Sequence, residues 1–100
     1  WELSGVGEGT IQNDNGIIKM YYMNSLETGF GIATSTNGIN WTKSNLNPFW
    51  SPPSAHSNWA GDQISFPSVV TVNNEVRLYY CGEGPSTYEH RIGMMTRSNN

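Results

Sequence analysis

The sequence predicts an all-β chain of two similar antiparallel units, and three observations carry that reading. Apolar and aromatic residues come in short runs bounded by Gly, Asn, Ser and Pro, with tyrosine and β-branched residues enriched inside the runs. No window of helical length keeps an apolar period of 3.6 residues. The runs also recur in the same order in both halves of the 100-residue chain.

The elements follow in order. GTIQNDNGIIKMYYMN (9–24) lies over PSVVTVNNEVRLYYCG (67–82) without a gap, pairing Ile11 with Val69, Ile18 with Val76, Met20 with Leu78, and Tyr21-Tyr22 with Tyr79-Tyr80. In both copies asparagines fall between the first and second runs, which predicts a hairpin turn at the same point. A loop follows, longer in the second copy, and FGIATST (30–36) then matches IGMMTRS (92–98) as a third strand. In the first copy Asn37-Gly38 turns the chain into a short fourth strand at Trp41-Thr42-Lys43. A four-stranded antiparallel meander repeated with a period in the fifties is the signature of a β-propeller blade, a unit that does not bury both its faces alone. A small β-sandwich made by duplication is the alternative.

The predicted organisation is thus a first blade repeat over 1–53, which includes an N-terminal closing strand, and a second, incomplete repeat over 54–100. The second copy reaches Asn100 where its outermost strand is due, while Trp1-Glu2-Leu3 resembles Trp41-Thr42-Lys43. Propellers commonly close by letting one terminus complete the blade begun by the other, which removes a free sheet edge. Either the chain is a fragment of a larger propeller, or copies join head to tail and each lends residues 1–3 to the last blade of its neighbour, a heterologous contact that must close. The partner expected in that case is the chain itself. A trimer with six blades is the preferred homo-oligomer, ahead of a dimer with four.

Composition narrows the function classes. A content of 36% hydrophobic, 12% aromatic and 13% charged residues favours a packed chain over a disordered one. The net charge of -3 arises without any basic run, so neither a nucleic-acid footprint nor a polybasic membrane patch is expected. No stretch approaches the ~20 apolar residues of a membrane span. Cys81 is the only cysteine, which rules out an intrachain disulfide and leaves the compartment unassigned. Its alignment with Met23 predicts a small apolar role in a covered position.

The motifs FGIATSTNGINWTK, FPSVVTVNNEVRLYYCGEG and RIGMMTRSNN resemble blade motifs of the glycosidase-type five-bladed propellers, the arabinanase, levansucrase and invertase-like superfamily that includes glycoside hydrolase family 43. The resemblance covers nearly the whole chain and rests on blade strands and turns, not on catalytic residues. It implies enzymes that cleave or transfer glycosidic bonds with carboxylates, commonly three, drawn from different blades onto the central axis. Two blades do not carry such a set within one chain.

In a blade, the inner strand begins at the mouth of the channel, and the loop between the second and third strands opens on the same face. The mouth segments are therefore SGVGEG (4–9), SLETG (25–29), SAHSNWAGDQISF (54–66) and EGPSTYEHR (83–91). Glycoside hydrolysis needs one carboxyl as proton donor and another as base or nucleophile, and Glu8 and Asp62, near the starts of the two inner strands, are the candidate pair. Solvated loop acids are their plainer reading. Trp59, Phe66 and Tyr88 offer flat apolar faces for a sugar ring, with packing between blades as the alternative. His90 and Arg91 complete the candidate ligand-binding set, Arg91 for a carboxylate or a sugar hydroxyl. His56 and His90 match no recognised metal-ligand spacing, so no metal and no cofactor are expected. The reading is a carbohydrate-binding module that closes into a ring by oligomerisation. A glycoside hydrolase using paired carboxylates and a structural or protein-binding ring are the alternatives.

Overall fold

The computed structural model describes residues 1–2, 5–51, 63–83 and 90–98. Among these residues seven strands follow one another: β1 (Val6–Asp14), β2 (Ile17–Asn24), β3 (Phe30–Ser35), β4 (Thr42–Lys43), β5 (Gln63–Val72), β6 (Glu75–Glu83) and β7 (His90–Ser98). They form two antiparallel sheets in sequential order, β1-β2-β3-β4 and β5-β6-β7. The architecture is all-β, as a section of a propeller requires.

Turn chemistry sets both hairpins. Asp14 pairs with Ile17 and Val72 with Glu75, so each connection has two residues, Asn15-Gly16 and Asn73-Asn74. All four have positive φ (53°, 89°, 50° and 63°). A two-residue turn that matches strand twist demands this, and Asn and Gly adopt it at least cost. The repeat extends to the registers: Met20 pairs with Ala33, and Leu78 with Met95. The fourth strand is shorter than predicted, because Trp41 lies outside the ladder and only Thr42 and Lys43 pair with β3. Asn37 Oδ1 accepts from the amides of Ile39 and Asn40, at 2.9 Å each, and Ser35 Oγ accepts from Gly38 N at 2.8 Å. These side chains hold the backbone in a bend that competes with strand pairing.

The core is the joint between the sheets. Alternation along β6 sends Val76, Leu78 and Tyr80 to one face, where they meet Tyr21, Met23 and Phe30 of the first sheet. Trp50, which follows β4, stacks on Phe30 (centroids 6.0 Å apart, 17° between planes) and lies 5.2 Å from the Tyr80 ring. The inner strands run beside each other: Val69 N donates to Thr10 Oγ1 at 3.2 Å and Gln12 Nε2 to Thr71 Oγ1 at 2.6 Å. One tyrosine of each pair, Tyr21 and Tyr80, enters the joint, and its neighbour turns to the opposite face. Cys81 is half-buried, not covered as expected, because it lies on the face of the second sheet that points away from the first.

On the outward face of the first sheet, Trp1 lies 5.5 Å from the Tyr22 ring. Gly31 makes room for it, since a Cβ there would sit 2.6 Å from Trp1 Cζ2. Tyr22 Oη donates to Glu2 Oε2 at 2.6 Å, and Lys43 Nζ donates to Glu2 Oε1 at 2.5 Å. Trp1 and Glu2 thus pack on their own sheet, outside its strand ladders. The Lys43 ammonium, then the Tyr22 hydroxyl, hold the Glu2 carboxyl below its ordinary range. Burial, then the hydrogen bond to Glu2, pushes the Tyr22 phenol well up.

Candidate functional site

The strand directions gather one set of segments at one end of both sheets. Ser25 N donates to Gly5 O (3.0 Å), tying the loop after β2 to the start of β1. Ile64 N donates to Glu27 O (2.8 Å), tying the same loop to the start of β5. Loop 25–29 therefore staples the entries of the two inner strands side by side, with Glu27 in the left-handed region (φ 61°) to aim its carbonyl. Buried Asn24 locks the loop from beneath. Its Oδ1 accepts from Thr28 N (2.9 Å) and Gly29 N (3.1 Å), while its Nδ2 donates to Thr28 Oγ1 (2.8 Å) and to Trp1 O (2.9 Å).

Both inner strands are bulged at the same place. The β1–β2 register shifts between Val6 and Gly9, and the β5–β6 register shifts between Ser65 and Ser68. When the repeats are overlaid, Glu8 and Phe66 fall on one and the same position within these bulges. A bulge frees a residue from the ladder and re-aims its side chain, which is why bulges recur beside binding sites. Glu8 is exposed, and Phe66 is 60% exposed with φ 53°, a conformation that bulky residues rarely adopt. Pro67, next in sequence, is buried and anchors the bulge from behind.

Of the other candidates, His90 and Arg91 open β7, opposite Glu83 and Gly82. That register brings the start of β7 to the same end as the two bulges. Asp62, Trp59 and Tyr88, together with His56, lie outside the described residues. Sequence reasoning missed the stapling carbonyl of Glu27 and the Asn24 lock, whose signals were an Asn closing a strand and a Thr-Gly pair four and five residues on. An apolar cavity of about 280 Å³ lies elsewhere in the joint, lined by Tyr21, Ile32, Phe49 and Trp50 on one side and by Leu78 and Met95 on the other. Neither Glu8 nor Phe66 lines it. Among the described residues no group of three or more His, Cys, Asp or Glu is placed to hold a metal ion.

No family model matches the sequence, and no curated protein does. Solved structures match the fold over almost the whole chain. A thermostable family-43 glycoside hydrolase superposes on 96% of it with a TM-score of 0.71 at 17% identity. The native arabinanase of Bacillus subtilis superposes on 96% with a TM-score of 0.67 at 20% identity. An exo-1,5-α-L-arabinanase from a bovine ruminal metagenomic library covers 91% with a TM-score of 0.64 at 21% identity. The chain has the blade fold of the family-43 glycoside hydrolases. It spans 30%, 35% and 30% of those three enzymes' own lengths, in the order given, so it corresponds to a section of such a propeller. Within that family-43-like section the stapled loop and the two bulges occupy one end of adjacent inner strands.

Proposed function

We propose that the chain is a carbohydrate-binding section of a glycosidase-like propeller, with a sugar site at the channel mouth and the remaining blades of the ring supplied by oligomerisation. One observation carries the reading: matching bulges on neighbouring inner strands present an acceptor, Glu8, and an aromatic face, Phe66, at the same end of the joint. A sugar ring stacks on the aromatic plane while its hydroxyls donate to the carboxylate, a combination that suits a ligand apolar on one side and polar at the rim. Trp59, Tyr88, His90 and Arg91 are assigned to the same proposed site by their positions in the sequence. Two of the solved neighbours are arabinanases, and another, the GH43_1 enzyme from Xanthomonas citri, was solved in complex with xylose. Pentose-containing oligosaccharides are therefore the ligand class to test first. A fourth strand contributed by a neighbouring chain has its place at the outer edge of β7, which among the described residues pairs only with β6.

The test is calorimetric titration of the chain with arabino- and xylo-oligosaccharides. Phe66→Ala is expected to weaken binding up to about tenfold, since one aromatic contact is worth about 0.5–1.5 kcal/mol and about 1.4 kcal/mol is a factor of ten. Absence of any binding at millimolar sugar refutes the sugar site and leaves a structural or protein-binding ring. The hydrolase neighbours favour a second reading, in which Glu8 and Asp62 act as paired carboxylates. Reducing-sugar release abolished by Glu8→Gln and by Asp62→Asn separates it from binding alone. Binding is preferred because a ring of identical copies repeats each carboxylate in identical surroundings, whereas acid and base need unlike ones.

A further inference from the structure

The two repeats agree along their strands and diverge where the second strand of each one ends. Asn24 closes β2 and is 2% exposed, and its counterpart in the overlay is Gly82. In the second sheet the ladder runs on through that point, with Gly82 paired to Arg91 and Glu83 to His90. In the first sheet the β2–β3 ladder ends before it, at Met23 and Phe30. A repeat of this kind therefore pairs its second and third strands without an amide side chain at this position. Asn24 nevertheless has its amide fully engaged: Oδ1 accepts from Thr28 N and Gly29 N, and Nδ2 donates to Thr28 Oγ1 and Trp1 O. A buried amide satisfied on all sides stiffens what it touches, and what it touches is loop 25–29.

That loop is the shortest link between the two bulges. Ser25 N holds Gly5 O just ahead of Glu8, and Glu27 O holds Ile64 N just ahead of Phe66. Only Leu26 separates Ser25 from Glu27, and Glu27 N donates to Asn24 O at 3.0 Å, which folds the link into a turn. At its far end the fully buried Ile64 side chain fixes the strand that the carbonyl grips. The conformation of three residues thus sets the separation of the two strand entries, and the Asn24 amide sets that conformation.

We infer that Asn24 is a positioning residue that fixes the distance between the Glu8 carboxylate and the Phe66 ring without touching a ligand. Its ligand is that of the sugar site proposed above, on which the inference rests, while its geometry rests on the loop alone. A site whose two contacts are already spaced loses less freedom on binding than one that has to gather them. The spacer also selects: a sugar has to meet the aromatic face and the acceptor at one set separation, and a loosened loop relaxes that demand. The divergence of the repeats fits this role, because an amide that strand pairing does not require is kept where two inner strands have to be held in step.

The experiment combines a double-mutant cycle with a distance measurement on the intact chain. Titration with arabino- and xylo-oligosaccharides is run at a temperature where dichroism shows every variant folded. Asn24→Ala is expected to weaken binding about threefold to tenfold. In a Phe66→Ala background the same change is expected to cost less than about twofold, since one remaining contact has no separation to keep. Nitroxide labels at Glu8→Cys and Phe66→Cys, in a Cys81→Ser background, report the separation without any sugar. Asn24→Ala is expected to broaden their distance distribution. Equal losses in both backgrounds, or label distances that ignore Asn24, overturn the inference, since a residue that only stabilises the fold gives those results. Asn24→Gly, which copies the second repeat, replaces Asn24→Ala should that variant lose its fold. The two failures are distinct: a wild type that binds no sugar sinks the sugar site, and unaltered label distances sink the positioning role.

Discussion

Truncating Phe30 to alanine tests whether the two sheets unfold as one unit. The ring is fully buried between Trp50, stacked at 6.0 Å, and Tyr80, edge-on at 5.7 Å, so it touches both sheets at once. Removing a buried phenylalanine costs about 3–5 kcal/mol. The loss of two ring contacts, worth about 0.5–1.5 kcal/mol each, moves the cost toward the upper end. Half-buried Trp50 is free to tilt into the gap, which moves it back, and the balance is about 4 kcal/mol. A chain of this length has about 5–15 kcal/mol in total, and each kcal/mol shifts Tm by about 4–8 °C. Urea unfolding followed by tryptophan fluorescence and by dichroism, with exposed Leu26→Ala as control, measures the change. A loss below about 1.5 kcal/mol refutes the reasoning, as does a first sheet that melts apart from the second.

Phe66→Gly is expected to raise stability by about 1 kcal/mol, because glycine adopts φ 53° without the strain that phenylalanine carries there, while sugar affinity falls. Thermal melts and titration of the same variant check both signs. Asn24→Ala strips acceptors from the amides of Thr28 and Gly29, and a cost of about 2–3 kcal/mol with faster hydrogen exchange at those two amides is expected. The pH dependence has two limbs. Glu2 is held below its ordinary 4.5, so its contribution is complete above that value and is lost as pH falls through the depressed one. Tyr21, Tyr22 and Tyr80 are raised above their ordinary 10.0 by burial, so their contribution is complete below that value and is lost as pH rises. Denaturation at a series of pH values is expected to show both limbs, and Glu2→Gln to remove the Glu2 part of the acid limb and to lessen the Tyr22 part of the alkaline one.

Much of the blade was legible because it is written twice. Strand and turn positions in one copy check those in the other, and an asparagine turn admits one register. The joint was legible only as a general expectation about tyrosine pairs, since nothing local in Phe30 or Trp50 says which sheet each will meet. The fourth strand was extended too far, to Trp41, because the β-propensity of that residue was weighed without the side-chain bonds of Ser35 and Asn37 that bend the chain away. The equivalence of Glu8 and Phe66 was within reach, since it sits one residue before the overlaid segments begin. It was passed over because the two residue types share no chemistry, and only the bulge they share makes them counterparts. Trp1 looked like a strand residue by analogy with Trp41. Here it packs in the cleft that Gly31 leaves beside Tyr22, and a cleft has no signature in a linear pattern.

The mouth loops have a consequence for how such a chain changes over generations. From Met23 to its partner Phe30 and from Cys81 to its partner Ile92, the two connections differ in length by four residues, yet the strands on either side keep the same register. Insertions at this end are absorbed without disturbing the strand ladders. Loop length at this end and strand pairing are therefore independent variables, and a loop can be lengthened or shortened here while each ladder stays as it was.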